Sequence, residues 1–151
     1  MTMFLYVFAV VIMIAADQFS KFFIVRNFAL GQKMTIIPGF FQLTNVRNTG
    51  AGFSILTDQT AFLSAVSAIA VIALLYLLRK ENNKYIRIAY LMIISGALGN
   101  LIDRIRLGYV VDFLDFVIFG YDFPVFNVAD SFITVGCILL ILLNLKETRH
   151  A

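Results

Sequence analysis

The sequence predicts an all-α membrane protein: a four-transmembrane-helix bundle with a small extracytoplasmic β-element between helices 1 and 2. Composition is the first indication. Hydrophobic residues make up 61% of the chain, charged residues 14%, and mean hydropathy is +0.91, well outside the range of soluble domains. The second is spacing. Four apolar runs are long enough, or nearly so, to cross a hydrocarbon core that needs about 20 helical residues. The third is continuity, because only Pro38 and Pro124 interrupt the chain. At 151 residues the length predicts one domain.

Helix 1 is expected over about 3–25, with Asp17, Gln18, Ser20 and Lys21 in its second half. The alternative for this run is a cleaved signal peptide. Against it, no Lys or Arg precedes the apolar stretch, and the run ending IAAD lacks a clean A-x-A site. The following segment, about 27–59, mixes β-branched and aromatic residues around a Pro-Gly turn in TIIPGFFQLTNV, and GAGFSIL follows a glycine-rich bend. With Phe40, Phe41 and Phe53 it predicts a partly apolar β-element against the membrane surface, an irregular loop being the alternative. Helix 2, about 61–78, is the uninterrupted AFLSAVSAIAVIALLYLL. Helices 3 and 4 are expected over about 86–104 and 128–145. Small residues at Ser64, Ala65, Ala68, Gly96, Ala97, Gly99 and Gly136 suit close helix packing in lipid.

The net charge of +3 and pI near 9.2 would point to nucleic acid in a soluble protein. Here the basic residues flank apolar runs, so they read as orientation signals instead. Basic residues divide equally between the two sides. The dense cluster Arg79, Lys80, Lys84 and Arg87 in one short loop, joined by Lys146 and Arg149 in the tail, places that side and both termini in the cytoplasm. A lone Cys137 excludes an intramolecular disulfide and reads as a small core residue. The only histidine is His150, in the tail, which excludes Ser-His catalysis and histidine zinc sites; no HExxH or CxxC spacing occurs.

Polar groups inside apolar runs are costly, from about 2.5 kcal/mol upward for a carboxylate, so each needs a partner or a task. Asp17 and Lys21 stand at i, i+4 on one helix face, either as an ion pair near the outer surface or lining a polar pocket. Asn100, Asp103 and Arg104 share a face of helix 3, with Gly96 and Gly99 one turn earlier. They form either interhelical hydrogen bonds or a functional face.

Asp112, in VVDF, and Asp130, in FNVAD, matter most. Helix 3 exits and helix 4 enters on one side, so topology puts both acids at the same membrane surface. Asn127 is a candidate N-cap with Asp130 at N3. Asp115 and Asp122 read as loop acids. Two carboxylates about 3 Å apart cannot both ionise easily and so share one proton. The ionised member can take a proton from an attacking water while the other donates to a peptide carbonyl.

At these residues the chain resembles the bacterial lipoprotein signal peptidases, the signal peptidase II family, over nearly its whole length. The matching blocks are DQFSK from Asp17, RNTGAGF from Arg47, GALGNLIDR from Gly96, VVDF from Val110 and FPVFNVAD from Phe123. Gly52 departs from the family, which more usually has alanine there. The resemblance implies a membrane-embedded aspartic endopeptidase with Asp112 and Asp130 as its catalytic dyad. It implies supporting or substrate-holding roles for Asp17, Asn48, Asn100, Arg104 and Asn127, with Lys21 and Asp103 in the same blocks. The implied substrate is a prolipoprotein whose lipobox cysteine carries diacylglycerol, cleaved just before that cysteine. It also implies no metal or organic cofactor, inhibition by the cyclic peptide globomycin, and a bacterial cytoplasmic membrane location with the site towards the outer face.

Two other functions are compatible with intramembrane acids: a small four-helix proton-coupled transporter, and a non-catalytic assembly factor using polar stripes as helix glue. Clustering of the acids at one interface counts against a carrier, which needs them near the midplane.

Overall fold

The computed structural model describes residues 3–50 and 58–148. In chain order it contains α1 (Met3–Asn27), β1 (Lys33–Ile37), β2 (Phe41–Asn48), α2 (Thr60–Lys80), α3 (Lys84–Leu107), β3 (Val110–Ile118), β4 (Tyr121–Asp122) and α4 (Val128–Thr148). The expected four-helix bundle is present, and all four helices are long and apolar enough to cross a membrane. Phe4, Phe19, Ile69, Ile72 and Ile141 point outward, as a lipid solvent permits.

The central element is α3. Of its apolar window 44% is buried, against 17% for α1 and 11% each for α2 and α4. Its small residues make this possible. A Cβ on Gly96 would collide with the Ala129 carbonyl oxygen and with Ile133 Cγ1, and one on Gly136 would lie 2.7 Å from Ile93 Cγ1 and 2.9 Å from the Ala89 carbonyl. The backbones of α3 and α4 therefore touch where no side chain intervenes. On α2 the small residues contribute less: Ser64 and Ala68 are half-buried and Ala65 faces outward.

The β-element is larger than the sequence implied, and half of it comes from elsewhere. One antiparallel sheet runs β1-β2-β3-β4, in which β2 from the α1–α2 segment pairs with β3 from the α3–α4 segment. No strand is expected there from the sequence, where Asp115 and Asp122 read as loop acids. Gly108, at φ +79, caps α3 and turns the chain into β3. Phe119 and Gly120, both at positive φ, form the two-residue turn into β4. Val111 and Phe113 pack against Ile24 and Phe28, which fastens the sheet to the end of α1. Asn45 reinforces this by donating from Nδ2 to the Phe28 carbonyl at 2.8 Å.

Three further expectations are corrected. Asp115 is a buried strand residue rather than a loop acid, paired with Lys33 at 2.9 Å. Asp122 also lies in a strand, though exposed. Cys137 faces outward on α4 and not into the core, since a thiol is apolar enough for lipid. Gly52 and Phe53 lie outside the described residues, as do Arg149 and His150.

Gly96→Ala should destabilise the protein by about 1–3 kcal/mol, because its methyl meets backbone that cannot rotate away. The outward-facing Ile72→Ala should change stability by no more than about 0.5 kcal/mol. Thermal unfolding in detergent distinguishes the two; equal shifts would contradict the packing described.

Candidate active site

Both interhelical segments that form the sheet leave the same end of the bundle, and a cavity of about 210 Å³ opens beneath them. Asn48 of β2, Asn100 and Arg104 of α3, Asp112 of β3 and Asp130 of α4 line it, and Phe123 to Phe126 wall one side. The two acids singled out from sequence thus face one space. Five of the nine candidate positions reach the cavity. The other four, Asp17, Lys21, Asp103 and Asn127, are buried behind it.

Asn127 connects the two acids. Its Nδ2 donates to Asp112 Oδ1 at 2.6 Å and to Asn100 Oδ1 at 3.1 Å. Its Oδ1 accepts from the Asp130 backbone N–H at 2.9 Å, while its own N–H donates to Asp130 Oδ2 at 3.2 Å. This is a reciprocal capping box at the start of α4, built from Asn and Asp. The expected N-cap role is therefore met, and the same amide also reaches β3.

Three asparagine amides are aimed at the carboxylates by a donor on their own oxygen. Asn127 is oriented by the Asp130 N–H, as above. Asn48 Oδ1 accepts from the Gly50 N–H at 2.9 Å, leaving Nδ2 to donate to Asp112 Oδ2 at 2.8 Å. Asn100 Oδ1 accepts from Lys21 Nζ at 2.9 Å, leaving Nδ2 to donate to Asp130 Oδ1 at 2.7 Å. All four carboxylate oxygens accordingly receive an N–H. Burial first, and the negative charge of Asp130 second, push the Asp112 carboxyl from the ordinary carboxylate range up to about 7, against the opposing pull of the Asn48 and Asn127 amides.

Lys21 does not reach to the surface. It is 3% exposed, and its ammonium meets Asp17 Oδ2, Asp103 Oδ2 and Asn100 Oδ1, each at 2.9 Å. Three N–H donors thus find three oxygens. Asp17 Oδ1 accepts from the Ala129 N–H at 2.9 Å, and Asp103 Oδ2 accepts from the Val111 N–H at 3.3 Å. The ion pair anticipated on α1 is therefore a buried cross-brace between α1, α3, β3 and α4, and not part of the pocket lining. Gly99 permits it, because a Cβ there would sit 2.6 Å from Asp17 Oδ2.

Gln18 was not among the candidates. Its Nε2 donates to Asp103 Oδ1 at 2.9 Å and lies 3.2 Å from both Asp17 Oδ2 and the Gly99 carbonyl. Its place beside Asp17 in a run of polar residues within an apolar helix was the available signal. Arg104 Nη2 donates to the Gly50 carbonyl at 3.3 Å, so the end of β2 is tied to α3 at the cavity rim.

Replacing Lys21 with methionine would leave Asp17 and Asp103 buried without their cation. The expected loss is about 3–5 kcal/mol, far more than for an exposed pair. Thermal unfolding of Lys21→Met beside Lys146→Met, an exposed lysine in the last turn of α4, tests this; similar losses would contradict a buried brace.

Comparisons with known proteins identify the family and the fold. The model of signal peptidase (SPase) II matches residues 9–146. Curated relatives from Staphylococcus aureus strains JH9 and Newman, each described as a lipoprotein signal peptidase, are 42% identical over 142 residues, covering 93% of this chain and 87% of theirs. A solved bacterial membrane enzyme, determined by the in meso method at 2.3 Å resolution, superposes with a TM-score of 0.91 at 40% identity, over 97% of this chain and 90% of its own. A second, at 1.9 Å resolution, gives 0.87 at 40% identity over 95% and 94%. With a family match across all four helices, the chain belongs to the signal peptidase II family of peptidases.

Proposed function

We propose that this lipoprotein signal peptidase is an intramembrane aspartic endopeptidase in which Asp112 and Asp130 activate a water between them. Its substrate is a diacylglyceryl-modified prolipoprotein, cut just before the lipidated cysteine. One observation supports this above the others: two carboxylates, linked through Asn127, open on a single cavity at one end of an apolar bundle. A proton-coupled carrier has no such support, since the acids lie at the bundle end beside a sheet.

Asp112, with its carboxyl near 7, holds the shared proton at the start of the reaction. Asp130 takes a proton from water as its oxygen attacks the scissile carbonyl carbon. Asp112 donates its proton to the carbonyl oxygen, giving a neutral tetrahedral diol. Collapse returns a diol proton to Asp112, passes the proton on Asp130 to the leaving amine, and breaks the C–N bond. Asn48, Asn100 and Asn127 keep both carboxylates in register. Asp17, Lys21 and Asp103 hold Asn100 in place, and Arg104 positions the chain near the scissile bond from the cavity rim.

The signal-peptide helix and the diacyl tail are both apolar, so each arrives through the bilayer. The cluster Arg79, Lys80, Lys84 and Arg87 supports an orientation with its side and both termini in the cytoplasm and the cavity towards the outer face of the cytoplasmic membrane. Globomycin, a cyclic peptide, competes for the same cavity.

Asp112→Asn and Asp130→Asn should each abolish cleavage of a lipid-modified precursor, by at least about 10³-fold in kcat, while unfolding at a temperature close to that of the unaltered protein. Cleavage at the ordinary rate by either variant would overturn the assignment. Cleavage needs no ion gradient and should stop with globomycin.

The pH dependence follows from Asp112. Its raised carboxyl keeps the proton up to about pH 7 and loses it above, so kcat/KM should fall with an alkaline midpoint near 7. Asn48→Ala removes a donor that favours the ionised form, and the midpoint should move upward. An unmoved or lowered midpoint would contradict this proton assignment.

A further inference from the structure

At the end of the bundle opposite the acids, α1, α2 and α3 enclose a second groove of about 270 Å³. Val7, Val10 and Val11 form one wall, Leu75 and Leu78 another, and Leu91, Ile94 and Leu98 the floor. Along α3 it runs from Arg87 to Leu98, about 16 Å at the helical rise. That is the depth of one leaflet of a hydrocarbon core about 30 Å thick.

Its mouth is cationic. Arg79 and Arg87 line it, and Lys80 and Lys84 stand at the facing ends of α2 and α3. The Arg87 guanidinium is fixed 4.5 Å above the Tyr6 ring, and its Nε is shielded from water without a hydrogen-bond partner. Among the described residues neither arginine forms an ion pair. The nearby Glu81 turns Oε1 to the N–H groups of Asn82 and Asn83, at 2.7 and 2.6 Å, and forms no ion pair with either arginine.

We propose that this groove is a binding site for an anionic phospholipid, its phosphate between Arg79 and Arg87 and one acyl chain laid along Leu91, Ile94 and Leu98. Two features select this occupant. The groove is apolar along one leaflet's depth, which an acyl chain matches, and among the described residues its only charged lining groups are two arginines in no ion pair, to which a phosphodiester supplies the counter-charge. A zwitterionic lipid would bring its own ammonium to the same mouth and gain less. The site is separate from the cavity beneath the sheet and shares none of its lining residues.

Lipid retention by the purified full chain tests this, by native mass spectrometry after equilibration with mixed phosphatidylglycerol and phosphatidylcholine micelles. The unaltered protein should retain phosphatidylglycerol on the order of tenfold over phosphatidylcholine, from two basic groups near the phosphate. The double variant Arg79→Gln/Arg87→Gln should lose that preference. Val11→Trp, which fills the groove from an outward-facing position, should reduce retention of both lipids. Equal retention of the two lipids by the unaltered chain, or a preference that survives the arginine changes, would overturn the proposal. So would equal thermal stabilisation by soluble glycerol phosphate, which would make the groove irrelevant.

Discussion

The amide of Asn127 is where three elements of this protein are held in register. It meets Asp112 on β3 through Nδ2, Asn100 on α3 through the same nitrogen, and the first turn of α4 through Oδ1 and its own N–H. From Asn100 the contacts pass to Lys21 on α1, then to Asp17, and return to α4 at the Ala129 N–H. The polar groups therefore form a closed ring through α1, α3 and α4. Each link is within hydrogen-bonding distance, and in apolar surroundings an unmet charge would be costly. Ring closure explains how an apolar bundle accommodates three buried acids and a buried lysine in one cluster.

The ring also separates two tasks. Asp17, Lys21 and Asp103 meet one another's charge and lie away from the cavity, where they set the orientation of Asn100. Among the described residues Asp112 and Asp130 form no ion pair and receive neutral amide donors instead. Neutral donors orient a carboxylate without forcing it to stay ionised, so the Asp112 carboxyl can sit near 7. A proton-sharing dyad of the proposed kind requires that balance. The sheet completes the arrangement: β3 carries Asp112 and is held in place by β2 on one side and by Ile24 and Phe28 beneath.

Much of this was legible in the sequence, for reasons that differ by element. The helices were visible because lipid demands about 20 apolar residues per crossing, a constraint stronger than any propensity. Asp112, Asp130 and Asn127 were visible because polar residues are conspicuous in such a chain. The strand β3 was not. VVDFLDFVI carries two acids within an apolar run, so it shows neither clean alternation nor a loop composition, and its partner β2 lies far away in sequence. The burial of Lys21 was equally hidden. Residues at i, i+4 on one helix look alike whether they face headgroups or another helix, and only the position of α3, with Gly99 allowing close approach, decides between them. Gln18 was overlooked because an uncharged amide stands out less than the acid beside it.

The central claim is that one of two carboxylates, brought to a common cavity by a shared asparagine, retains its proton near neutrality. The direct test is a carbon-13 titration of the aspartate carboxyl signals in the purified, membrane-reconstituted protein. One signal should titrate with a midpoint near 7 and vanish from the spectrum of Asp112→Asn. If every aspartate instead titrates in the ordinary carboxylate range, the two acids do not share a proton and the account fails.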